Sequence, residues 1–152
     1  MSFLIETIKM LNVNNFETIA FNLTRPNSQD SKTKQLKDIF TDWHDIQHLG
    51  DIEAVNLIRN NKINILFDLA GYTDGSKIEI FKHRSAPLQI AWLGYSNSTG
   101  VDEMDYIITD PHVLESSENY SEKFLQLPNI WSCHMPIKQE VEIKDLPALK
   151  NG

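Results

Sequence analysis

Between Arg84 and Asp110 the chain reads RSAPLQIAWLGYSNSTGVDEMDYIITD, two apolar runs that each stop abruptly at small or polar residues. Leu88 to Leu93 is apolar but for Gln89 and breaks at Gly94, and Tyr106 to Thr109 is β-branched and aromatic and stops at Asp110. Runs this short, bounded by turn residues, predict strands. In an open α/β sheet the ligand crevice lies beyond the carboxyl ends of the strands, so Gly94 to Gly100 is where a site is predicted.

The same rhythm extends along the chain. Phe3, Leu4, Ile5, Ile8 and Leu11 recur at helical spacing and predict a helix over about Ser2 to Leu11. Phe16 to Leu23 predicts a strand, Pro26-Asn27-Ser28 a turn, Ser31 to Phe40 a polar helix, and Trp43 to Leu49 a short strand. Asp51 is the predicted N-cap of a helix whose Ala54, Val55, Leu57 and Ile58 face a core and which stops at Asn60 and Asn61. Ile63 to Leu69 is the best candidate for a buried strand, Ser76 to His83 is a second short helix, Pro87 opens the next strand, and Phe124 to Leu127 forms the last. Alternation of this kind predicts an α/β fold: a mostly parallel, Rossmann-like sheet with helices on both faces and right-handed crossovers. Residues 1–134 form the predicted lobe and 135–152 an irregular connection.

Composition removes several classes of function. At 152 residues and 41% hydrophobic the chain suits one domain with a real core. Its net charge of −7, with no basic run, lacks the electrostatic term that dominates nucleic-acid binding, so no nucleic acid is expected. Cys133 is the only cysteine, which excludes an internal disulfide or Cys-based zinc site and suits a reducing compartment, with cytoplasm the expectation. The N-terminus lacks the features of a signal peptide, and no apolar run approaches the roughly 18 residues of a membrane span. No internal repeat and no P-loop, GxGxxG, HExxH, GxSxG or EF-hand pattern occurs. Of the five histidines only His44 and His48 sit four apart, a ligand spacing if helical, but no third ligand is evident, so no metal is expected.

Asp68, beside Ala70, Gly71, Tyr72 and Thr73, stands where a carboxylate holds either a ligand or a turn, and the turn-capping role is the commoner one. The same weighing applies to Asp110 before Pro111. The Gly94-Tyr95-Ser96-Asn97-Ser98-Thr99-Gly100 segment reads equally as a loop that lets a ligand approach its backbone N–H groups and as a mobile surface loop. Trp43, Trp92 and Trp131 lie in apolar or strand-like contexts and read as packing residues rather than sugar-stacking platforms.

DLAGYTDG, then HRSAPLQIAWLGYSNSTG, MDYIITD and YSEKFLQLP, in this order and spacing, resemble the catalytic region of the O-linked N-acetylglucosaminyltransferases, the TPR-containing enzymes that include the plant SPINDLY-type proteins. FETIAFN and DWHDIQHLGD resemble the family's weaker upstream segments. The resemblance implies the first of two Rossmann-like lobes of a GT-B glycosyltransferase, with TPR repeats before it and a second, UDP-binding lobe after it. The implied reaction is transfer of a sugar from a UDP donor, UDP-GlcNAc or a related nucleotide sugar, to Ser or Thr hydroxyls of protein acceptors, with no other cofactor.

Carried over by residue, Leu93 and Gly94 match positions against the donor sugar. Ser96 and Asn97 stand where the family usually has Pro-Gly, and Thr99 and Gly100 keep the end of the loop. Asp68, Gly71 and Tyr72 match a block at the cleft floor. The family's Asp-Phe-x-x-His motif has no counterpart here, and the diphosphate-binding lysine belongs to the second lobe, so no catalytic residue is expected in this chain. An incomplete sheet is expected to leave strand edges that promote association. The alternatives are a non-catalytic Rossmann-like module that binds a nucleotide or sugar, and an interaction domain whose altered loop no longer takes donor.

Overall fold

The computed structural model describes residues 4–113, 116–132 and Leu146, so most of the predicted connection over 135–152 lies outside the described residues. Among the described residues helices and strands alternate as far as β4, and two further strands follow it without a helix: α1 (Leu4–Val13), β1 (Ile19–Asn22), α2 (Ser31–Ile39), β2 (Asp42–Asp45), α3 (Asp51–Asn60), β3 (Ile65–Asp68), α4 (Glu79–Lys82), β4 (Leu88–Ala91), β5 (Tyr106–Thr109) and β6 (Lys123–Gln126). A 3-10 turn over Pro26–Ser28 precedes α2. Every strand pairing is parallel, as the alternating pattern predicts, but the strands divide into a β1-β2 pair and a β3-β4-β5-β6 sheet.

Local chemistry sets the element ends. Asp30 caps α2 by accepting the Thr33 N–H at 2.8 Å, while the Thr33 hydroxyl oxygen accepts the Asp30 N–H at 3.3 Å, so two orphan donors are satisfied reciprocally. The N-cap of α3 is Gly50 rather than Asp51: the Glu53 carboxylate takes the Gly50 N–H at 2.9 Å. Asp51 sits one residue inside, where a negative charge suits the helix N-terminus, and Lys77 pairs with it at 3.3 Å. β2 ends at Asp45 because the chain folds back after the Ile46 N–H reaches the Asn22 carbonyl, with Leu49 N–H closing a turn on Ile46. The predicted helix over Ser76 to His83 contracts to one turn because the preceding residues form turns instead, Ser76 N–H bonding to the Thr73 carbonyl.

Two separate apolar cores form. The larger draws Ala54, Val55 and Ile58 from α3, Ile80 and Phe81 from α4, Leu66, Ala91 and Ile107 from the sheet, and Val101 and Met104 from the β4–β5 connection. The smaller joins Leu4 and Ile5 of α1 to Leu36 of α2 and to Leu93, with Trp43, Trp92 and Trp131 packed around them. All three tryptophans therefore serve packing, as their contexts predict; the Trp92 indole N–H is satisfied by the Trp131 carbonyl at 2.9 Å. Phe21 of β1 packs on the first core with Leu66 of β3, and Phe67 of β3 meets Trp92 of the second edge-on at 6.1 Å.

β3 departs from the prediction of a strand buried on both faces. Leu66 and Asp68 are buried, but Ile65 is 42% and Phe67 39% exposed, and Leu69 just beyond the strand 38%. β3 is also an edge strand of its sheet. An edge with exposed apolar side chains is a template for association. Sedimentation velocity is expected to show concentration-dependent oligomers that Ile65→Lys reduces, and an unchanged distribution in the variant would place association elsewhere.

Candidate active site

The site is built where β3 and β4 end. Asp68 and Ala91 are register partners, and the ladder runs one residue further through Trp92 N–H on the Asp68 carbonyl at 2.9 Å. Beyond that point both strands turn sharply. On the β3 side Asp68, only 7% exposed, accepts the Ala70 N–H at 3.0 Å and the Gly71 N–H on both carboxylate oxygens, at 3.1 and 3.0 Å. Burial pushes the Asp68 carboxyl above its ordinary range, and these backbone donors only partly oppose it. Asp68 thus holds its own turn, which is the role its sequence context favours.

The two turns interlock. Gly71 has φ +53°, and a Cβ there would lie 2.3 Å from the Tyr95 Cβ; Gly94 has φ +124°, and a Cβ there would lie 2.5 Å from the Leu69 carbonyl oxygen. Neither position has room for a side chain, and both backbones adopt conformations that favour glycine. Leu93 also sits at positive φ, +52°, which is uncommon for a residue with a Cβ, and its side chain is 4% exposed in the smaller core. Burial of that side chain offsets the backbone cost of about 1–2 kcal/mol. Leu93 therefore offers only its backbone to the loop surface.

Across the interlock, Tyr72 and Tyr95 meet edge-on at 5.6 Å, and the Tyr72 hydroxyl donates to the Thr99 carbonyl at 2.5 Å. Gly94, Ser96, Asn97 and Gly100 are exposed, and Tyr72 is 53% exposed. Thr99 is buried instead, at 2%. Its N–H donates to Glu122 Oε1 at 2.6 Å, its hydroxyl donates to the same oxygen, and the Ser98 hydroxyl donates to Glu122 Oε2 at 2.8 Å. The Tyr120 hydroxyl donates to the Ser96 carbonyl at 3.1 Å. Of the residues predicted to form the site, the structure brings Asp68, Gly71 and Tyr72 against the loop that carries Leu93, Gly94, Ser96, Thr99 and Gly100. The loop is fastened by side chains from outside it.

Glu122 and Tyr120 are the contributors that the sequence reading passes over, and Tyr95, named there only as part of the loop, packs against Gly71 and Tyr72. The one available signal was the YSEK block, which places Tyr120, Ser121 and Glu122 together. Asp110, 1% exposed, is a turn residue: it accepts the N–H groups of His112 at 2.8 Å, Val113 at 2.9 Å and Trp131 at 2.7 Å. Burial works to raise its carboxyl, but the donors from Trp131, His112 and Val113 outweigh that and hold it below its ordinary range. No group of three or more His, Cys, Asp or Glu side chains able to hold a metal occurs among the described residues. His44 lies on a strand, stacked on Phe21 at 5.5 Å, so the helical spacing that would pair it with His48 does not exist.

The model of glycosyl transferase family 41 matches residues 1–136. The chain belongs to glycosyl transferase family 41. It is 35% identical over 112 residues to a protein of Eustoma exaltatum subsp. russellianum named as a probable UDP-N-acetylglucosamine–peptide N-acetylglucosaminyltransferase SPINDLY, covering 72% of this chain and 12% of that protein. The SPINDLY protein of Arabidopsis thaliana is 32% identical over 129 residues, covering 81% of this chain and 14% of its own length. A mutant of the Thermobaculum terrenum O-GlcNAc transferase superposes with a TM-score of 0.80 at 29% identity, over 86% of this chain and 25% of that one. This family 41 chain therefore has the α/β architecture found in an O-GlcNAc transferase, and it spans only 12–14% of the length of the SPINDLY relatives just described.

The interlock generates two expected outcomes. Gly71→Ala and Gly94→Ala should each cost at least about 2 kcal/mol in urea unfolding, since strain and contact add; a loss below half that would show that the turns relax independently. Because Asp68 has a raised carboxyl, its contribution is full below the ordinary carboxylate range and is lost as pH rises through its folded value. Asp110 and Glu122 are depressed and act in the opposite sense at lower pH. Asp68→Asn should therefore remove a decline in stability on the alkaline side of the ordinary range, measured by urea midpoints against pH.

Proposed function

We propose that this chain forms the donor-sugar side of a GT-B glycosyltransferase that moves a sugar from a UDP-linked donor to Ser or Thr hydroxyls of proteins. The observation that carries the reading is the fastened Gly94–Gly100 loop beyond the carboxyl ends of β3 and β4, with exposed glycine backbone and polar Ser96 and Asn97 side chains. A backbone without side chains admits close approach of a sugar, with the exposed Ser96 and Asn97 side chains as hydrogen-bond partners beside it. The names of the SPINDLY relatives support UDP-GlcNAc as donor and peptide as acceptor. In this reading Leu93, Gly94, Ser96, Thr99 and Gly100 form the donor-sugar side of the cleft, and Asp68, Gly71 and Tyr72 its floor.

The chemistry is displacement at the anomeric carbon: the acceptor oxygen forms the new bond as the bond to the diphosphate breaks, and the hydroxyl proton is taken up by a base. Charge developing on the UDP leaving group is stabilised by cationic groups and backbone donors, each worth roughly 3–4 kcal/mol when well placed. In this reading those groups come from a second lobe, TPR repeats precede the catalytic region, and the protein works in the cytoplasm. This lobe binds and orients the sugar; it does not carry the base or the diphosphate clamp.

Titration of the ¹⁵N-labelled chain with UDP-GlcNAc should give saturable shifts at the Leu93, Gly94, Thr99 and Gly100 amides, and GDP-fucose serves as the comparison donor. Shifts confined to other surfaces would overturn the reading. The chain by itself should transfer no sugar to a Ser-rich acceptor peptide, and product formed by the purified chain would contradict the assignment of catalysis to the second lobe.

A further inference from the structure

Glu122 precedes β6 by one residue, yet it is 4% exposed, and its side-chain contacts all reach into the β4–β5 connection. Both carboxylate oxygens are occupied: Oε1 by the N–H and hydroxyl of Thr99, Oε2 by the Ser98 hydroxyl. Because the single Ser98 proton is committed to Glu122, the Ser98 oxygen is left as acceptor, its two lone pairs shared among the Gly100 N–H at 3.2 Å, the Ser121 N–H at 3.2 Å and the Ser121 hydroxyl at 3.1 Å. The Thr99 oxygen in turn accepts the Val101 N–H at 3.3 Å. The Tyr72 and Tyr120 hydroxyls hold the carbonyls of Thr99 and Ser96.

No Lys, Arg or His among the described residues lies within ion-pair distance of Glu122. Burial works to raise its carboxyl, and the Thr99 and Ser98 hydrogen bonds outweigh that, leaving it below the ordinary range. A buried charge balanced only by loop donors is a costly way to fill space, since an apolar residue would pack there without desolvation. What it supplies is geometry, because one carboxylate orients three donors from two consecutive residues.

We propose that Glu122 is a positioning residue for the donor sugar, holding Ser98 and Thr99 so that the Gly94–Gly100 backbone keeps its sugar-accepting shape. The proposal rests on the donor reading of the loop given above. A purely structural Glu122 would affect stability and leave donor affinity unchanged in molecules that remain folded.

The test compares the 152-residue chain with Glu122→Ala, Glu122→Gln, Ser98→Ala and, as a control destabilised elsewhere, Ile58→Ala, whose side chain is fully buried in the larger core. Affinity for UDP-GlcNAc is read from amide shifts in the folded population. Glu122→Ala should weaken binding by about tenfold or more, the loss of a charge-assisted hydrogen-bond set. Glu122→Gln, whose amide oxygen still accepts from Thr99, should stay within about threefold of the parent, while Ser98→Ala falls between them and Ile58→Ala binds within about twofold. Should Glu122→Ala fail to fold, Ser98→Ala carries the comparison. Undiminished binding in folded Glu122→Ala or in Ser98→Ala overturns the positioning role, as does equal weakening in Ile58→Ala. Absence of saturable shifts in the parent chain overturns the donor reading itself, and the positioning role falls with it.

Discussion

The close approach of two backbone turns, one after β3 and one after β4, is the constraint from which the candidate site follows. Gly71 lies against the Tyr95 side chain and Gly94 against the Leu69 carbonyl, so each turn fills the space that a Cβ on the other strand's turn would need. Neither turn has its observed shape alone. Asp68 pulls Ala70 and Gly71 inward through three hydrogen bonds, and burial of Leu93 in the smaller core pulls the chain down immediately before Gly94. The consequence is a loop whose first glycine is exposed at the strand ends although both of its neighbouring anchors are buried.

The connections on this side of the sheet lack helices, and buried polar side chains replace them. The β4–β5 and β5–β6 connections contain no helical element among the described residues. A helical crossover satisfies its own backbone; an irregular one must find partners elsewhere. Gln89, fully buried in the middle of β4, provides them on one side: its amide donates to the Phe81 and Glu103 carbonyls and its oxygen accepts the Ser85 N–H. Asp110 does the same for the turn after β5 and for Trp131, and Glu122 for Ser98 and Thr99. Each of these groups would be costly if unpaired, and each is paired with backbone or hydroxyl groups, mostly of the connections. The polar residue that interrupts the apolar Leu88–Leu93 run is therefore a fastening point.

Periodicity and turn residues made the order and type of every strand legible, because strand length and apolar runs are local properties. Element ends were less legible. Gly50 took the N-cap from Asp51 because Glu53, three residues on, reached back to its N–H, and the Ser76–His83 helix shortened where turn bonds competed with helical ones. Division into two sheets and the exposed face of β3 depend on which strands meet, which no local pattern specifies. At the site, the glycines and small residues marked the loop, and the block resemblance marked its family. The burial of Leu93 and Thr99 was not legible, nor was the reach of Glu122 across 23 residues to Thr99, since long-range pairing leaves no trace in spacing.

Ser96-Asn97, where the family resemblance implies Pro-Gly, fits the same logic. Proline restricts a loop by fixing φ at one residue, an effect exerted largely by removing conformations from the unfolded chain. Here Ser96 carries no such restriction, but its carbonyl is held by Tyr120, and the residues that follow Asn97 are held by Glu122 and Tyr72. Hydrogen bonds from outside the loop order it only in the folded state, and those to Glu122 are strongest while that carboxylate is ionised, so this way of fixing the shape couples the loop to the start of β6. A backbone fixed by its own ring would be indifferent to what packs behind it; this one presents Gly94 and Gly100 in a geometry set by a carboxylate on the far side of the chain's own connection.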